Sequence, residues 1–390
     1  MTETKPPNDW DPRSEEALNH PLTTYDTMRR ECPVAHSDYL HWSVFRHEDV
    51  MQVLADNNTF SARVSRFRSV PNGVDPPEHT PYRALIEPYF SPGRMSAFEP
   101  VCREMAQRLV KELMDQQVEV IGRLAEPFAL KAQCAFMGWP ERLQKPLQSW
   151  LHENHKAILE GDGEALAEIA QRFTGYIHEL LEERRALGTQ APRDITTELM
   201  EARIEGKPLP EEDLVSIMRN WTAGEVGTLS ASVGILAGFL AQSPALQQEL
   251  RSAPHKLPEA IDEILRLHGP LPNNRRITTR PCQLADRMIP AHEKLSIFWV
   301  SANRDESVFP EPDKFRWGRD HSKNLLYGAG THICPGAPLA RLELRLLMEA
   351  LLSTTRSITP SRGRGPVTAR YPTAGYEKLW LDFEPVGAVR

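Results

Sequence analysis

Cys334 sits in the stretch LLYGAGTHICPGAPLAR, Leu325 to Arg341, among Gly328, Gly330 and Gly336 and just ahead of an apolar segment that carries Arg341. A thiol in such a turn can have several backbone N–H groups aimed at it, and a helix beginning after it adds the positive end of its dipole. Both effects favour the thiolate, the form that binds metals. The five cysteines, Cys32, Cys102, Cys134, Cys282 and Cys334, are odd in number, widely spaced and without a CxxC pair, which argues against a disulfide framework. His332 and Cys334 resemble half of a zinc site, but a closed zinc site normally takes four ligands and no second pair lies nearby in the sequence.

A single axial thiolate is sufficient for haem iron, because the porphyrin supplies four nitrogens and the sulfur pushes electron density onto iron, favouring O–O cleavage. The two haem propionates then need cations or hydrogen-bond donors inside the protein. His79 and Arg83, in DPPEHTPYR, are four residues apart and face one way on a helix. Glu225 and Thr228, in AGEVGT, are three apart and so neighbours on one helix face, where Gly224 and Gly227 permit a kink or widened turn. Glu263 and Arg266 are also three apart. That spacing carries little alone, since Glu182 and Arg185 share it and read as a solvated helix pair worth a few tenths of a kcal/mol.

The elements that must position these residues are mostly helical. Phe98, Val101, Met105, Leu109 and Leu113 recur every three or four residues from Met95 onward, and a second helical pattern runs from about Ile169 to Arg185. Proline, glycine and acidic residues in EGKPLPEED announce a long helix through Trp221 to Leu240, expected to be the longest and most buried element. VAHSDYLHWSVF near the start, RRITTRPCQLADRMIPA and KLSIFWVSANRD after Pro270, and the alternating last thirty residues read as strands. There is no internal repeat and no low-complexity tract.

Composition narrows the function classes. The 46 basic and 53 acidic residues leave a net charge of -7, with the basic residues scattered, so nucleic acid is an unexpected partner. The start, MTETKPPNDWDPRSEE, lacks the basic and apolar parts of a secretory signal, and the longest apolar run, Leu229 to Leu240, is shorter than the roughly 20 residues that cross a bilayer. A cytoplasmic protein without membrane insertion is expected.

The segment from Tyr327 to Gly336, with Ala-Pro-Leu-Ala-Arg341 after it, resembles the haem-binding loop of the cytochrome P450 superfamily in its soluble bacterial form. Tyr327 stands where phenylalanine is usual, and its hydroxyl needs a partner. Glu263-Ile-Leu-Arg266 resembles the family's ExxR helix, and Phe315-Arg-Trp-Gly-Arg319 the segment whose arginine completes a Glu-Arg-Arg cluster. The resemblance covers nearly the whole chain. It implies one haem domain over residues 1–390 with the family's triangular, mainly α fold. A helical lobe would lie mainly at about 75–270 and 335–355, and a small β-rich lobe at about 34–60, 275–300 and 366–386.

By the same resemblance Cys334 is the axial ligand of haem b, His79, Arg83, Arg276 and His332 hold the propionates, and Tyr327 and Gly336 shape the loop. The family usually carries an acid and an alcohol side by side on the long helix to deliver protons to dioxygen. Aligned on Ala223 and Gly224, those positions are Val226 and Gly227 here, so Glu225 and Thr228 are expected to replace the pair. The substrate pocket should draw on Arg63 to Val74, Ala223 to Thr228, Leu271 to Asn274 and Thr373 to Tyr376. Val70, Ala223, Val226, Gly227 and Leu271 would line it, and Asn273, Asn274 and Tyr376 would orient a polar group. Arg63, Arg66 and Arg68 could recognise a carboxylate at its entrance.

The helix variant and the FSARVSRFRSVPNGVDPPEHT connection resemble the haem domains of self-sufficient members fused to a phthalate-reductase-like module. Here the chain runs to Arg390 without a flavin or iron–sulfur module, which implies separate donors, a ferredoxin and its reductase acting from NAD(P)H, or a phthalate-reductase-like partner. Arg103, Arg108, Arg341 and Arg345 could form a basic docking face. The implied activity is insertion of one atom of dioxygen into a small hydrophobic or aromatic molecule, by hydroxylation or oxidative dealkylation. A peroxide-using haem-thiolate enzyme and a non-catalytic haem or gas sensor are the alternatives. Cys334→Ala is expected to abolish the thiolate-type absorption band of the reduced, carbon-monoxide-bound protein, and retention of that band would remove Cys334 as ligand.

Overall fold

The computed structural model describes residues 8–65, 67–114 and 117–387. Two short helices, α1 (Glu15–Asn19) and α2 (Pro21–Glu31), precede the strands β1 (Val34–Ser37), β2 (His41–Val44) and β3 (Phe60–Ser61). Helix α3 (His79–Ile86) and the longer α4 (Pro92–Lys111) follow, then β4 (Gln117–Glu119), α5 (Glu126–Met137), α6 (Gln144–Glu160) and α7 (Gly163–Leu187). The long helix is α8 (Glu211–Ala241), and α9 (Leu257–His268) leads into β5 (Asn273–Thr278) and β6 (Lys294–Phe298). After a run of turns come α10 (Ala337–Thr354) and the strands β7 (Thr355–Pro360), β8 (Val367–Thr368), β9 (Tyr376–Lys378) and β10 (Trp380–Pro385).

The helical expectations from Met95 and Ile169 correspond to α4 and α7. Strands are more dispersed than the expected lobe: β4 falls inside the helical range, where its pairing with β10 and not its own pattern makes it a strand. The main sheet has the order β1-β2-β6-β5-β3, with β2 and β6 parallel and the other pairs antiparallel. A second sheet runs β7-β10-β4 and β8 pairs with β9. The segment KLSIFWVSANRD is only half strand, because Trp299–Ala302 turns into a short buried helix.

Helix α8 spans about 46 Å at the usual rise per residue. Glu211, Glu212 and Asp213 in its first turn match the positive end of its dipole. By length and mean hydropathy (1.4) it would pass for a membrane span, but 67% of that apolar window is buried in the protein, as expected of a core helix. The largest core cluster joins α8 to α4, α5, α9 and α10. Two smaller clusters lie under the main sheet.

One polar cluster locks α9 to the segment before the cysteine loop. Glu263 and Arg266 are fully buried, with Nε to Oε2 at 2.8 Å, and Arg319 reaches Glu263 Oε1 at 2.8 Å. Arg266 also donates to the carbonyls of Asn303 and Pro312, at 2.6 and 2.9 Å, and Asn303 Oδ1 accepts from Leu325 N at the head of the loop. By contrast Glu182 and Arg185 pair in solvent on α7. Removing one partner of a buried pair leaves an uncompensated charge. Arg266→Ala is therefore expected to lower unfolding stability by about 3–5 kcal/mol, against about 0.5 kcal/mol or less for Arg185→Ala, both read from urea unfolding.

Candidate functional site

The loop before α10 is shaped by two glycines in the left-handed region, Gly328 (φ 71°) and Gly330 (φ 67°). A Cβ on Gly330 would stand 3.3 Å from the Leu54 carbonyl oxygen. Cys334 N donates to Tyr327 O at 2.8 Å, closing the loop and setting the side chain at the start of α10. There the backbone N–H groups of Gly336 and Ala337 donate to the sulfur and favour thiolate, while burial and the charge of Glu225 push the thiol up. Cys334 is deep in the protein yet has accessible surface, because it lines a cavity with Phe90, Phe136, Trp221, Gly224 and Glu225. Tyr327, on the other side of the loop, has a buried hydroxyl without a hydrogen-bond partner, and the Arg341 guanidinium lies 4.5 Å over its ring.

Three donors converge beside this loop from three elements. His79 opens α3, Arg276 lies on β5 and His332 lies two residues before the cysteine. The rings of His79 and His332 are 4.6 Å apart. His79 Nε2, Arg276 Nε and His332 Nε2 are all buried and none has a hydrogen-bond partner. Burial, with Arg276 and His79 adding to it, brings His332 down to about 4, and burial with Arg83 lowers His79. Arg83, one turn along α3, instead donates to the Ile333 carbonyl at 2.6 Å and pairs with Glu87 at 2.7 Å. The Asp75 carboxylate stands 4.0 Å from His332 Nε2, too far for a hydrogen bond, and leaving a buried donor unpaired costs about 1–3 kcal/mol, so the three atoms fit acceptors from outside the chain.

Helix α8 supplies the opposite wall. Ala223 and Gly224 are exposed in the middle of a helix that is otherwise largely buried, and Gly224 faces the cavity that Cys334 lines. An accessible thiol over an open stretch of helix, with donors lacking acceptors at the edge, fits a flat dianionic cofactor bound through one axial sulfur. Haem has that chemistry. Cys334 would hold its iron, and His79, Arg276 and His332 its propionates.

The side chains of Glu225 and Thr228 do not pair with each other, although Thr228 Oγ1 lies 3.3 Å from the Glu225 carbonyl. Thr228 Oγ1 donates back along α8 to the Gly224 carbonyl at 2.7 Å. The Glu225 carboxyl turns to Glu343 on α10. Glu343 is fully buried, and neither its oxygens nor Glu225 Oε1 face a donor group, so the hydrogen bond between the two carboxyls requires a proton. Burial raises both groups. One proton shared between the two carboxyls satisfies that hydrogen bond.

Sequence reasoning passed over Glu343, although it stands four residues from both Leu339 and Leu347 on the apolar face of α10, where a carboxylate is out of place. Trp221 and Phe90, whose rings are 5.1 Å apart, were also missed as cavity walls.

Other expected positions are placed as follows. Val70 and Val226 are packed into the core at 0% and 1% exposure and offer no surface to a ligand. Gly227 and Tyr376 line a separate cavity between α6, α8 and the β8–β9 hairpin. Leu271 is half-buried against the sheet cluster. Asn273 reaches the Tyr371 hydroxyl at 3.5 Å and Asn274 accepts from the Trp299 indole at 2.8 Å. Arg68 is bound to buried Asp213 and to Glu78, and Arg63 pairs with Glu78, while Arg66 lies outside the described residues. Arg103 and Arg345 each bridge Glu99 and Glu349, Arg341 pairs with Asp262, and Arg108 with Glu104, so the expected docking arginines are all matched by acids.

Comparison with known proteins agrees with this geometry. The family model described as cytochrome P450 matches residues 141–369. The chain is 29% identical over 350 residues to the erythromycin C-12 hydroxylase of Saccharopolyspora erythraea, covering 86% of this chain and 87% of that protein. It is 28% identical over 359 residues to the linalool 8-monooxygenase of Pseudomonas putida, covering 85% and 88%. Its fold superposes on the structure of a mutant of P450 EryK in complex with erythromycin B with a TM-score of 0.87 at 27% identity, covering 95% of this chain and 97% of that one.

The carboxyl pair predicts a pH dependence. Both groups are raised in the folded protein, so the folded state keeps protons that the unfolded chain releases. Their contribution is complete below the ordinary carboxyl value and is lost as pH rises through the folded one. Glu343→Gln removes a group subject to that loss, so its melting temperature relative to the unsubstituted protein is expected to climb as pH rises above the ordinary carboxyl range. A constant offset over that rise would show that no proton is shared.

Proposed function

Because the chain belongs to the cytochrome P450 family, whose members are haem-thiolate monooxygenases, we propose that it inserts one atom of dioxygen into a small hydrophobic or aromatic molecule with electrons from a ferredoxin and its reductase. Haem b, when bound, supplies the dioxygen reduction and oxygen-transfer chemistry, with NAD(P)H as the distant electron source.

The chain's own residues divide the remaining work. Cys334 offers a thiolate steadied by the N–H groups of Gly336 and Ala337. His79, Arg276 and His332 offer donors for the propionates. Phe90, Phe136 and Trp221 give the cavity an aromatic wall that keeps water from the thiolate.

Proton supply centres on Glu225, which lines the same cavity as Cys334; this is the observation that carries the reading. The proton held between Glu225 and Glu343 is the one the pair offers to the cavity through Glu225. Thr228 has its own proton engaged by the Gly224 carbonyl and offers only oxygen lone pairs. The acid of the expected replacement pair is thus retained, and its partner becomes Glu343 in place of Thr228.

Glu225→Gln is expected to cut product formed per NAD(P)H consumed by about tenfold or more, as for loss of a positioned acid, while electron uptake and the reduced carbon-monoxide spectrum stay close to those of the unsubstituted protein. Unchanged product per electron would reject Glu225 as proton carrier. Turnover with peroxide but not with ferredoxin and its reductase would replace the monooxygenase reading by a peroxygenase.

A further inference from the structure

Trp221, on α8, lines the cavity that Cys334 also lines, and an aromatic cluster converges on its ring. Its centroid lies 5.1 Å from that of Phe90, 6.5 Å from Phe136 and 5.7 Å from Tyr89, inside the range of packed aromatic pairs. The two phenylalanines line the cysteine cavity as well. Tyr89 lies in the turn Glu87–Phe90, which joins α3 to α4. The Arg94 guanidinium stands 5.7 Å over the Tyr89 ring and pairs with Glu198, and both of those charged side chains are partly exposed. Trp221 and Tyr89 are therefore two rings in contact, one at the cysteine cavity and the other beside a charged surface pair.

Of these four rings the indole and the phenol are the ones that give up an electron to a strong oxidant, and haem is a cofactor of one-electron and dioxygen chemistry. Trp221 Nε1–H is buried and has no hydrogen-bond partner. With no base to take that proton, an indole oxidised there keeps it and is restored by one incoming electron. Tyr89 behaves differently. Burial, with the Glu198 charge adding to it, pushes its hydroxyl up to about 12, so it is a protonated phenol at physiological pH and releases its proton only together with an electron. The order Trp221 then Tyr89 thus moves an electron inward and ends on a neutral phenoxyl radical beside the surface.

We propose that Trp221 and Tyr89 form an electron relay that drains an unused oxidising equivalent from haem held by Cys334 to the protein surface, a protective activity distinct from oxygen insertion. In the first step Trp221 gives one electron to the oxidised cofactor and becomes an indole radical cation. In the second, Tyr89 gives one electron to that cation, its O–H bond breaks and the proton passes to water. A thiol or ascorbate-like reductant in solution then returns a hydrogen atom to the Tyr89 oxygen, and the chain is restored. The relay rests on the haem-thiolate reading, because the oxidant arises on haem, but it needs neither Glu225 nor a substrate.

The test mixes haem-loaded full-length protein, free of substrate, with hydrogen peroxide and freezes it rapidly for electron paramagnetic resonance. An organic radical is expected whose line shape changes when the protein carries ring-deuterated tyrosine. Tyr89→Phe should abolish the tyrosine-dependent signal and leave that of an indole radical. Trp221→Phe should abolish the tyrosyl signal although Tyr89 is intact, which direct oxidation of Tyr89 would not do. Both variants should bleach their haem absorption faster under peroxide than the unsubstituted protein, whereas Tyr176→Phe, on α7, should match it. A tyrosyl signal that persists in Tyr89→Phe or is undiminished in Trp221→Phe would overturn the relay, and so would the absence of any organic radical. Tyr89→Phe removes one hydroxyl and keeps the ring, so it decides the matter even if Trp221→Phe fails to load haem. The reduced carbon-monoxide spectrum separates the two readings. With the thiolate-type band present and the radical missing, the relay alone falls; with the band absent from the unsubstituted protein, the haem-thiolate reading falls and takes the relay with it.

Discussion

Three buried donors without acceptors, His79 Nε2, Arg276 Nε and His332 Nε2, impose the condition that the rest of the structure meets. Each would cost stability if left unpaired, and each sits on a different element, so the fold must bring α3, β5 and the cysteine loop to one edge and hold them there. The main sheet does this for Arg276 by pairing β5 with β6. Arg83 does it for the loop by binding the Ile333 carbonyl from α3. An acceptor-rich cofactor then completes a site that the chain leaves incomplete.

The same condition explains why rigidity is concentrated behind the cysteine loop. Glu263, Arg266 and Arg319 form a charge cluster that is shielded from water, and Arg266 adds two backbone carbonyls. Through Asn303 the cluster fixes the backbone at Leu325, where the loop begins. A buried ion cluster is a poor source of net stability. Its value here is positional, because a thiolate that must meet a metal cannot drift by an ångström.

Helix α8 reconciles two opposed demands. It must be buried along most of its length to serve as the core's axis, yet stay open at Ala223 and Gly224. Small residues at those positions meet both demands, since they leave space without exposing backbone to bulk water. The acid next to them is stabilised uncharged or half-charged by sharing a proton with Glu343, which lets a carboxyl stand in an aromatic-walled cavity without a cation.

The cysteine and its loop, the i,i+3 pair on α9, the arginine that joins it and the long core helix are legible in the amino-acid order alone. These are local: glycine φ preferences, helical spacing and apolar periodicity act over a few residues and are legible without the fold. The His79–His332 pair and Arg276 were legible only as separate candidates, because spacing says which way a side chain faces but not what it meets. That the Glu225 carboxyl faces Glu343 and not the Thr228 side chain emerges from packing, since two residues on one face of a helix can still turn to different neighbours. Packing also decided that Val70 and Val226 are core, that the candidate docking arginines are already paired, and that β4 is a strand. Each of those depends on what packs from far along the chain, and burial and pairing are properties of that packing and not of the residue.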